Sequence, residues 1–303
     1  MRRTIVTLVL APIALFLIAE TLLRLVGLGD PPLAVVDTEL EYRLIPNASY
    51  NRWGNRIEIN SYGFRAPEHT PLPVADELRV LLIGDSVVYG NHFLDQDETI
   101  AIQLYNFFSK AECQVRAIPI ALSSWGPVNQ LAALRRHGSF GAKHAAIIVS
   151  AHDLTDVPTH IPDLLPYRLS PPLGAIGDLV EAVTERLRAM EVDPEGSEMT
   201  VPYEIRVEMS LAALEQIVDR LHREEIDTVL IYNATDSERS GAIRSEREVL
   251  IEWAGSRGLE TIDLTDDGRV SLNDHIHPDA DGAAQIATRL HDFLVTRMSC
   301  VAH

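Results

Sequence analysis

The sequence predicts an α/β chain, a three-layer α/β/α sandwich in which five parallel strands carry helices on both faces. Three observations predict it. Short apolar runs recur from residue 79 to residue 264, with helically spaced segments between them. The first run, inside LRVLLIGDSVVYG (78–90), stops abruptly at Gly84-Asp85-Ser86, as a buried strand does when it turns sharply into a helix. And 46% of the 303 residues are hydrophobic while only 6% are aromatic, enough aliphatic material for a sizeable core without disulfide staples.

In chain order, residues 1–28 read as a membrane segment. Arg2 and Arg3 precede an uncharged stretch of 16 residues, TIVTLVLAPIALFLIA (4–19), whose continuation Glu20 and Arg24 interrupt. That length lies between a signal peptide and a full span. The stretch is apolar on every face, and no small-x-small cleavage site follows it. The reading is an uncleaved signal anchor, with the arginines cytoplasmic and the remaining chain periplasmic or extracellular; a cleaved signal peptide is the alternative. Residues 29–77 form an extended N-terminal region with little periodicity. Within it EYRLIP (41–46) and NSYGFR (60–65) stand out, the second as a turn at Gly63 whose Tyr62 and Phe64 pack on the domain, with no catalytic role assigned.

The domain proper runs over 78–303. Strands are predicted at 79–83, 113–120, 145–149, 228–232 and 260–264. Helices are predicted at 98–111 (Ile100, Leu104 and Phe107 on one face), 128–138 (Leu131, Leu134), 209–223 (Leu211, Leu214, Ile217, Leu221), 245–257 and 280–297. Such alternation implies a parallel sheet with right-handed crossovers, and five strands fit a flavodoxin-like order, 2-1-3-4-5, with the first strand beside the switch point where ligands bind. One insertion, at about 158–204, breaks the pattern. It is proline-rich, holds an amphipathic helix at about 176–190 and a polar stretch EVDPEGSE, and follows the third strand on the carboxyl side of the sheet. That place suits a lid or substrate wall as well as a plain helical decoration.

Charge and motifs narrow the chemistry. The balance of 26 basic and 44 acidic residues gives −18, which disfavours nucleic acid as a partner. No phosphate-binding or dinucleotide glycine pattern occurs, so no cofactor is predicted; His275 and His277 lack a third ligand at metal spacing, so no metal is predicted either. The two cysteines, Cys113 and Cys300, leave a bridge possible and undecided. Ser86 falls at the carboxyl end of a strand and the amino end of a helix, a place that suits a nucleophile. Near the other end of the chain, NDHIHPDADG (273–282) offers Asp274 and His277, three residues apart. A serine needs a histidine base, and the base needs a carboxylate to orient it.

GDS after an apolar strand, followed late in the chain by DxxHP before a final helix, resembles the SGNH (GDSL-like) hydrolases over roughly residue 79 to the C-terminus. NSYGFR is similar to a segment upstream of the GDS strand in many membrane-anchored SGNH-type proteins. The resemblance implies the same sandwich and a serine hydrolase with Ser86 as nucleophile, His277 as base and Asp274 as its orienting group. It also implies an oxyanion hole made by the backbone N–H of Ser86 and donors from the loops after the second and third strands. In ALSSWGPVN (121–129) the usual glycine position falls on Ser124, with Gly126 as the competing assignment. In SAHDLTD (150–156) the usual asparagine is His152, a donor whether neutral or protonated. Asp85 orders the serine's turn, and His92 is near enough in sequence to line the pocket. The implied substrate is a small acyl ester, acetyl above others, on an envelope carbohydrate. The same acyl-enzyme would serve an O-acyltransferase acting on a polysaccharide, and the departures at Ser124 and His152 keep open a non-catalytic, glycan-binding reading.

Overall fold

The computed structural model describes residues 2–110, 114–161, 165–191, 201–265 and 270–298. The chain opens with a helix, α1 (Arg2–Leu25), and folds back as two antiparallel hairpins: β1 (Ala34–Asp37) with β2 (Glu41–Leu44), and β3 (Ala48–Arg52) with β4 (Asn55–Ile59). Then come β5 (Leu78–Gly84), α2 (Ser86–Tyr89), α3 (Ile100–Lys110), β6 (Val115–Ala121), α4 (Pro127–His137) and β7 (His144–Val149). After the insertion helix α5 (Gly174–Glu191) follow α6 (Tyr203–Arg223), β8 (Asp227–Tyr232), α7 (Asp236–Arg239), α8 (Ser245–Ser256), β9 (Glu260–Asp263) and α9 (Ala280–Val295).

The five long-range strands pair in the order β6-β5-β7-β8-β9, all parallel, the predicted 2-1-3-4-5. Alternate strand residues feed opposite layers, because successive side chains of a strand point to opposite faces. Leu81, Ile83, Ile118, Ile147 and Leu230 join the core under α4, α6 and α8. Val80, Leu82, Ala146, Ile148 and Val229 join the core under α3 and α9. Each such valine, leucine or isoleucine side chain removed from water contributes roughly 1.5–3 kcal/mol, so the sheet is a rigid platform for the loops at its carboxyl edge.

Three departures have physical causes. The segment after the nucleophile turn is a single helical turn, because Gly90 adopts φ 81° and ends α2 after four residues; so short a helix supplies little macrodipole. Residues 29–77 hold ordered hairpins whose strands of four or five residues are too short to show periodicity. And α6 begins at Tyr203, six residues before the apolar stripe that marked its start.

The insertion's helix is fastened to the N-terminal region. Glu20 of α1 accepts hydrogen bonds from Ala175 N (2.9 Å) and Ile176 N (3.0 Å) at the start of α5. Asp178 accepts one from Gly29 N (2.8 Å) and pairs with Arg52 of β3. Among the described residues no helix is long and apolar enough to cross a membrane; the side chains described in α1 begin at Leu10, part-way along the uncharged run. Cys113, Cys300 and residues 192–198 of the polar stretch lie outside the described residues.

Candidate active site

β5 delivers the serine. A Cβ on Gly84 would come within 2.6 Å of Val88 Cγ2 and 2.9 Å of the Ile148 carbonyl oxygen, so only glycine lets the strand turn this tightly. Asp85 then caps the turn, its Oδ1 accepting the Val87 N–H at 2.9 Å, as the sequence leads one to expect. Ser86 is nearly buried, and its Oγ lies 2.8 Å from His277 Nε2. His277 Nδ1 lies 2.8 Å from Asp274 Oδ2. The other oxygen of Asp274 accepts the backbone N–H groups of Ile276 (2.9 Å) and His277 (2.8 Å). This is a side-chain-to-backbone turn, which folds the DxxH segment back on itself and aims the imidazole at the serine. Burial works against the charge on Asp274. The two backbone N–H groups and the imidazole more than offset it, holding the carboxyl below its ordinary value, so it is ionised at neutral pH. His275 is largely exposed, its Nδ1 3.9 Å from Asp274. The structure therefore brings together Ser86, His277 and Asp274 and leaves His275 outside.

Phe93 packs its ring 5.3 Å from that of His277. His92 sits against Phe93 on the outer side, 4.4 Å between centroids; burial and the Arg52 charge lower its pKa.

The loop after β6 separates the two glycine-site candidates. Ser124 adopts φ 58°, the left-handed conformation that glycine ordinarily supplies, and its side chain is exposed. Gly126 has an ordinary φ of −80° at the amino end of α4, with Pro127 at the first helical position. A Cβ there would overlap the Asp156 carbonyl oxygen, so the packing of two loops accounts for this glycine. Ser123 is held from three sides: Tyr42 Oη donates to its carbonyl, Tyr167 Oη to its Oγ (2.9 Å), and its own hydroxyl to Asn91 Oδ1. The insertion thus contributes Tyr167 to the wall of this loop.

The loop after β7 holds the largest difference from expectation. His152 Nε2 lies 3.0 Å from Asp85 Oδ2 and 3.8 Å from Asp156 Oδ2. The same Asp85 oxygen lies 3.2 Å from Ser86 Oγ. The Nε2–H of His152 is therefore directed to Asp85, where a stand-in for asparagine would leave it for a substrate oxygen. Burial disfavours charge on His152, but the acidic cluster of Asp153, Asp85 and Asp156 outweighs it and pushes the imidazole up to about 10. Asp85 is fully buried; its bonds to His152 and Val87 N overcome the penalty of burial and keep it below its usual value. Asp153, also fully buried, is pushed well above the carboxylate range by burial and the Asp85 charge, and Asp156 is raised to about 6. The centre is an imidazolium–carboxylate pair directly behind the nucleophile. Single ligand atoms of Asp85, His152 and Asp153 lie within 4.8 Å of one another, close enough to hold a metal ion, but the direct His152–Asp85 hydrogen bond already satisfies two of the three.

No protein-family model matches the chain, and no curated protein matches it in sequence. Among solved structures it is similar to a lipase/acylhydrolase from Enterococcus faecalis, at TM-score 0.46 and 13% identity over 73% of this chain and 96% of that one. It is similar to the acetyl xylan esterase AlAXEase at TM-score 0.48 and 10% identity, covering 72% and 100%. It is also similar to TesA at TM-score 0.47 and 13% identity, covering 73% and 99%. The roles of individual residues rest on their own geometry.

Sequence reasoning missed the residues that surround the triad from a distance. Tyr42 and Tyr167 are separated from Ser123 by 81 and 44 positions. Arg65 sits inside NSYGFR, a segment that stood out but was assigned no role in the site. The only signal was an arginine closing a short segment that also holds Tyr62 and Phe64.

Proposed function

We propose that this protein is a serine esterase acting through an acyl-enzyme on Ser86. The observation that carries the reading is the unbroken chain Ser86 Oγ–His277 Nε2 (2.8 Å) and His277 Nδ1–Asp274 Oδ2 (2.8 Å), assembled from residues nearly two hundred positions apart. As Ser86 Oγ attacks the ester carbonyl, its proton passes to His277 Nε2. The imidazolium so formed is stabilised by the ionised Asp274. The tetrahedral oxyanion collapses, His277 gives the proton to the departing alcohol oxygen, and the acyl group stays on Ser86. Water, deprotonated by His277, then releases the acid and restores the serine. The backbone N–H groups of Ser86 and Ser124 are the donors assigned to the oxyanion. His152 is assigned as the cation that balances Asp85 and offsets the developing charge.

The rim of half-buried Asn91 and exposed His92, Ser124 and His275 suits a polar, hydroxylated alcohol and a small acyl group. This supports an acetyl ester on an envelope carbohydrate as the substrate class. Arg2 and Arg3 ahead of the uncharged run 4–19 support anchorage in a membrane, with the catalytic domain on the periplasmic or extracellular side.

The test is p-nitrophenyl acetate hydrolysis by wild type, Ser86→Ala and His277→Ala. Turnover by wild type, lost in both variants, supports the esterase. A folded wild type that neither turns over nor reacts with a serine-directed phosphonate would refute it. Acetyl transfer to an added oligosaccharide that outruns hydrolysis would instead make the chain an acyltransferase.

A further inference from the structure

We infer that Arg65 is a positioning residue of this site, resting on the esterase reading above: its guanidinium clasps the loop 89–94 so that Phe93 and Asn91 hold, respectively, the base and the oxyanion loop. Arginine has five N–H donors, and Arg65 directs a hydrogen bond from every nitrogen. Nη1 donates to the carbonyls of Tyr89 (3.2 Å) and Asn91 (2.6 Å), and Nη2 to those of Leu94 (2.7 Å) and Arg56 (2.8 Å). Nε donates to Gln96 Oε1 (3.1 Å). All five partners are uncharged oxygens, and the residue is 2% exposed. Burying a cation with no carboxylate on its nitrogens is costly; the fold accepts that cost at the loop that follows the nucleophile.

What the clasp holds explains the placement. Three of its acceptors, Tyr89, Asn91 and Leu94, lie along the chain from the last residue of α2 into the loop, and Phe93 stands between the last two. Asn91 is itself in the left-handed region, φ 43°, a conformation that needs outside support in a non-glycine residue. Its Oδ1 accepts the hydroxyl of Ser123, the neighbour of Ser124. Phe93 packs its ring 5.3 Å from His277. One guanidinium thus sets two walls of the site without touching substrate. A lysine in its place keeps the charge but presents a single nitrogen and cannot span four carbonyls.

The experiment is a double-mutant cycle in the full-length protein on p-nitrophenyl acetate: Arg65→Lys, Phe93→Ala and both together, repeated with Asn91→Ala. Arg65→Lys is expected to lower kcat about tenfold to a hundredfold with KM little changed, since misplacement by about 1 Å costs on that order. In the Phe93→Ala or Asn91→Ala background the same change is expected to cost much less, because the path through which it acts is already cut. Multiplicative losses in both cycles, or a lowered melting temperature with kcat unchanged, would overturn the proposal and leave Arg65 a structural residue. Should Arg65→Lys not fold, Gly90→Ala strains the same loop: Gly90 has φ 81°, and an added Cβ would lie 3.1 Å from Leu94 Cδ1, whose carbonyl the clasp holds. The same non-additivity with Phe93→Ala is expected, and additivity overturns the proposal. If wild type labels with phosphonate but does not turn over, the cycle is read on the labelling rate. A wild type that does neither removes the esterase reading itself.

Discussion

His152 invites the sharpest perturbation, His152→Asn. If the imidazole merely stood in for an asparagine donor, this change would keep or raise activity. The geometry argues the opposite. His152 Nε2 is committed to Asp85, and Asp85 Oδ2 lies 3.2 Å from the attacking oxygen. With the imidazolium gone, a buried carboxylate faces the oxyanion uncompensated. Two unit negative charges about 5 Å apart at an effective dielectric constant of about 20 repel by roughly 3 kcal/mol, which is about a hundredfold in rate. His152→Asn should therefore lower kcat on p-nitrophenyl acetate about a hundredfold while Ser86 remains reactive toward a phosphonate. The double variant Asp85→Asn/His152→Asn removes the stranded charge and should recover most of the loss. A single variant within about threefold of wild type, or a double variant no better than the single, would refute the reasoning.

Asp274→Asn should lower kcat by about 10³–10⁴ with KM little changed, because the amide cannot stabilise the imidazolium and favours the wrong tautomer; a loss under tenfold would remove Asp274 from the triad. Ser124→Gly should relieve the left-handed strain of φ 58°, worth up to about 1 kcal/mol once glycine's greater chain entropy is subtracted. It should raise the melting temperature without lowering kcat; a tenfold loss would show that the hydroxyl, not the backbone N–H, acts on substrate. His152 also sets a pH dependence. Its folded value of about 10 lies above the ~6.5 of an exposed histidine, so its pairing with Asp85 and Asp156 stabilises the fold in full below about pH 6.5 and is lost as pH rises through about 10. Denaturation midpoints of wild type and His152→Asn should converge between about pH 7 and pH 10.5; a constant gap would mean the ring is neutral throughout.

The sheet was legible because its signals are local. Each strand is a short apolar run and most of the helices show an apolar stripe, so the elements follow from alternation, and the order β6-β5-β7-β8-β9 is the flavodoxin-like one that five strands fit and the family resemblance implies. Ser86, Asp274 and His277 were legible because two short motifs place them at loops on one edge of that sheet. The partner of His152 was not. Position 152 announces a donor, but only the fold shows that the nearest acceptor is Asp85, 67 positions earlier. The hairpins of 34–59 were hidden by strands too short for a period to register. The contacts of Tyr42 and Arg65 depend on how those hairpins lie against the sheet, which no spacing within them reveals.

These hairpins change what counts as the catalytic domain. Glu41, at φ 68°, buries its carboxylate where it accepts Thr159 N (2.7 Å), Thr159 Oγ1 (2.9 Å) and His160 N (2.9 Å), beyond the loop that carries His152. Its neighbour Tyr42 bonds the Ser123 carbonyl, and Arg65 bonds the loop after Ser86. Each of the three loops at the carboxyl edge of the central strands is thus tied to a different residue between 41 and 65. A strand end alone leaves its loop free to sample many conformations, and fixing each loop residue costs about 1–2 kcal/mol in backbone entropy. Here buried hydrogen bonds from a second layer offset that cost before any substrate arrives. The region ahead of the first sheet strand therefore belongs to the site as much as the GDS and DxxHP segments do, although it supplies none of the reacting atoms.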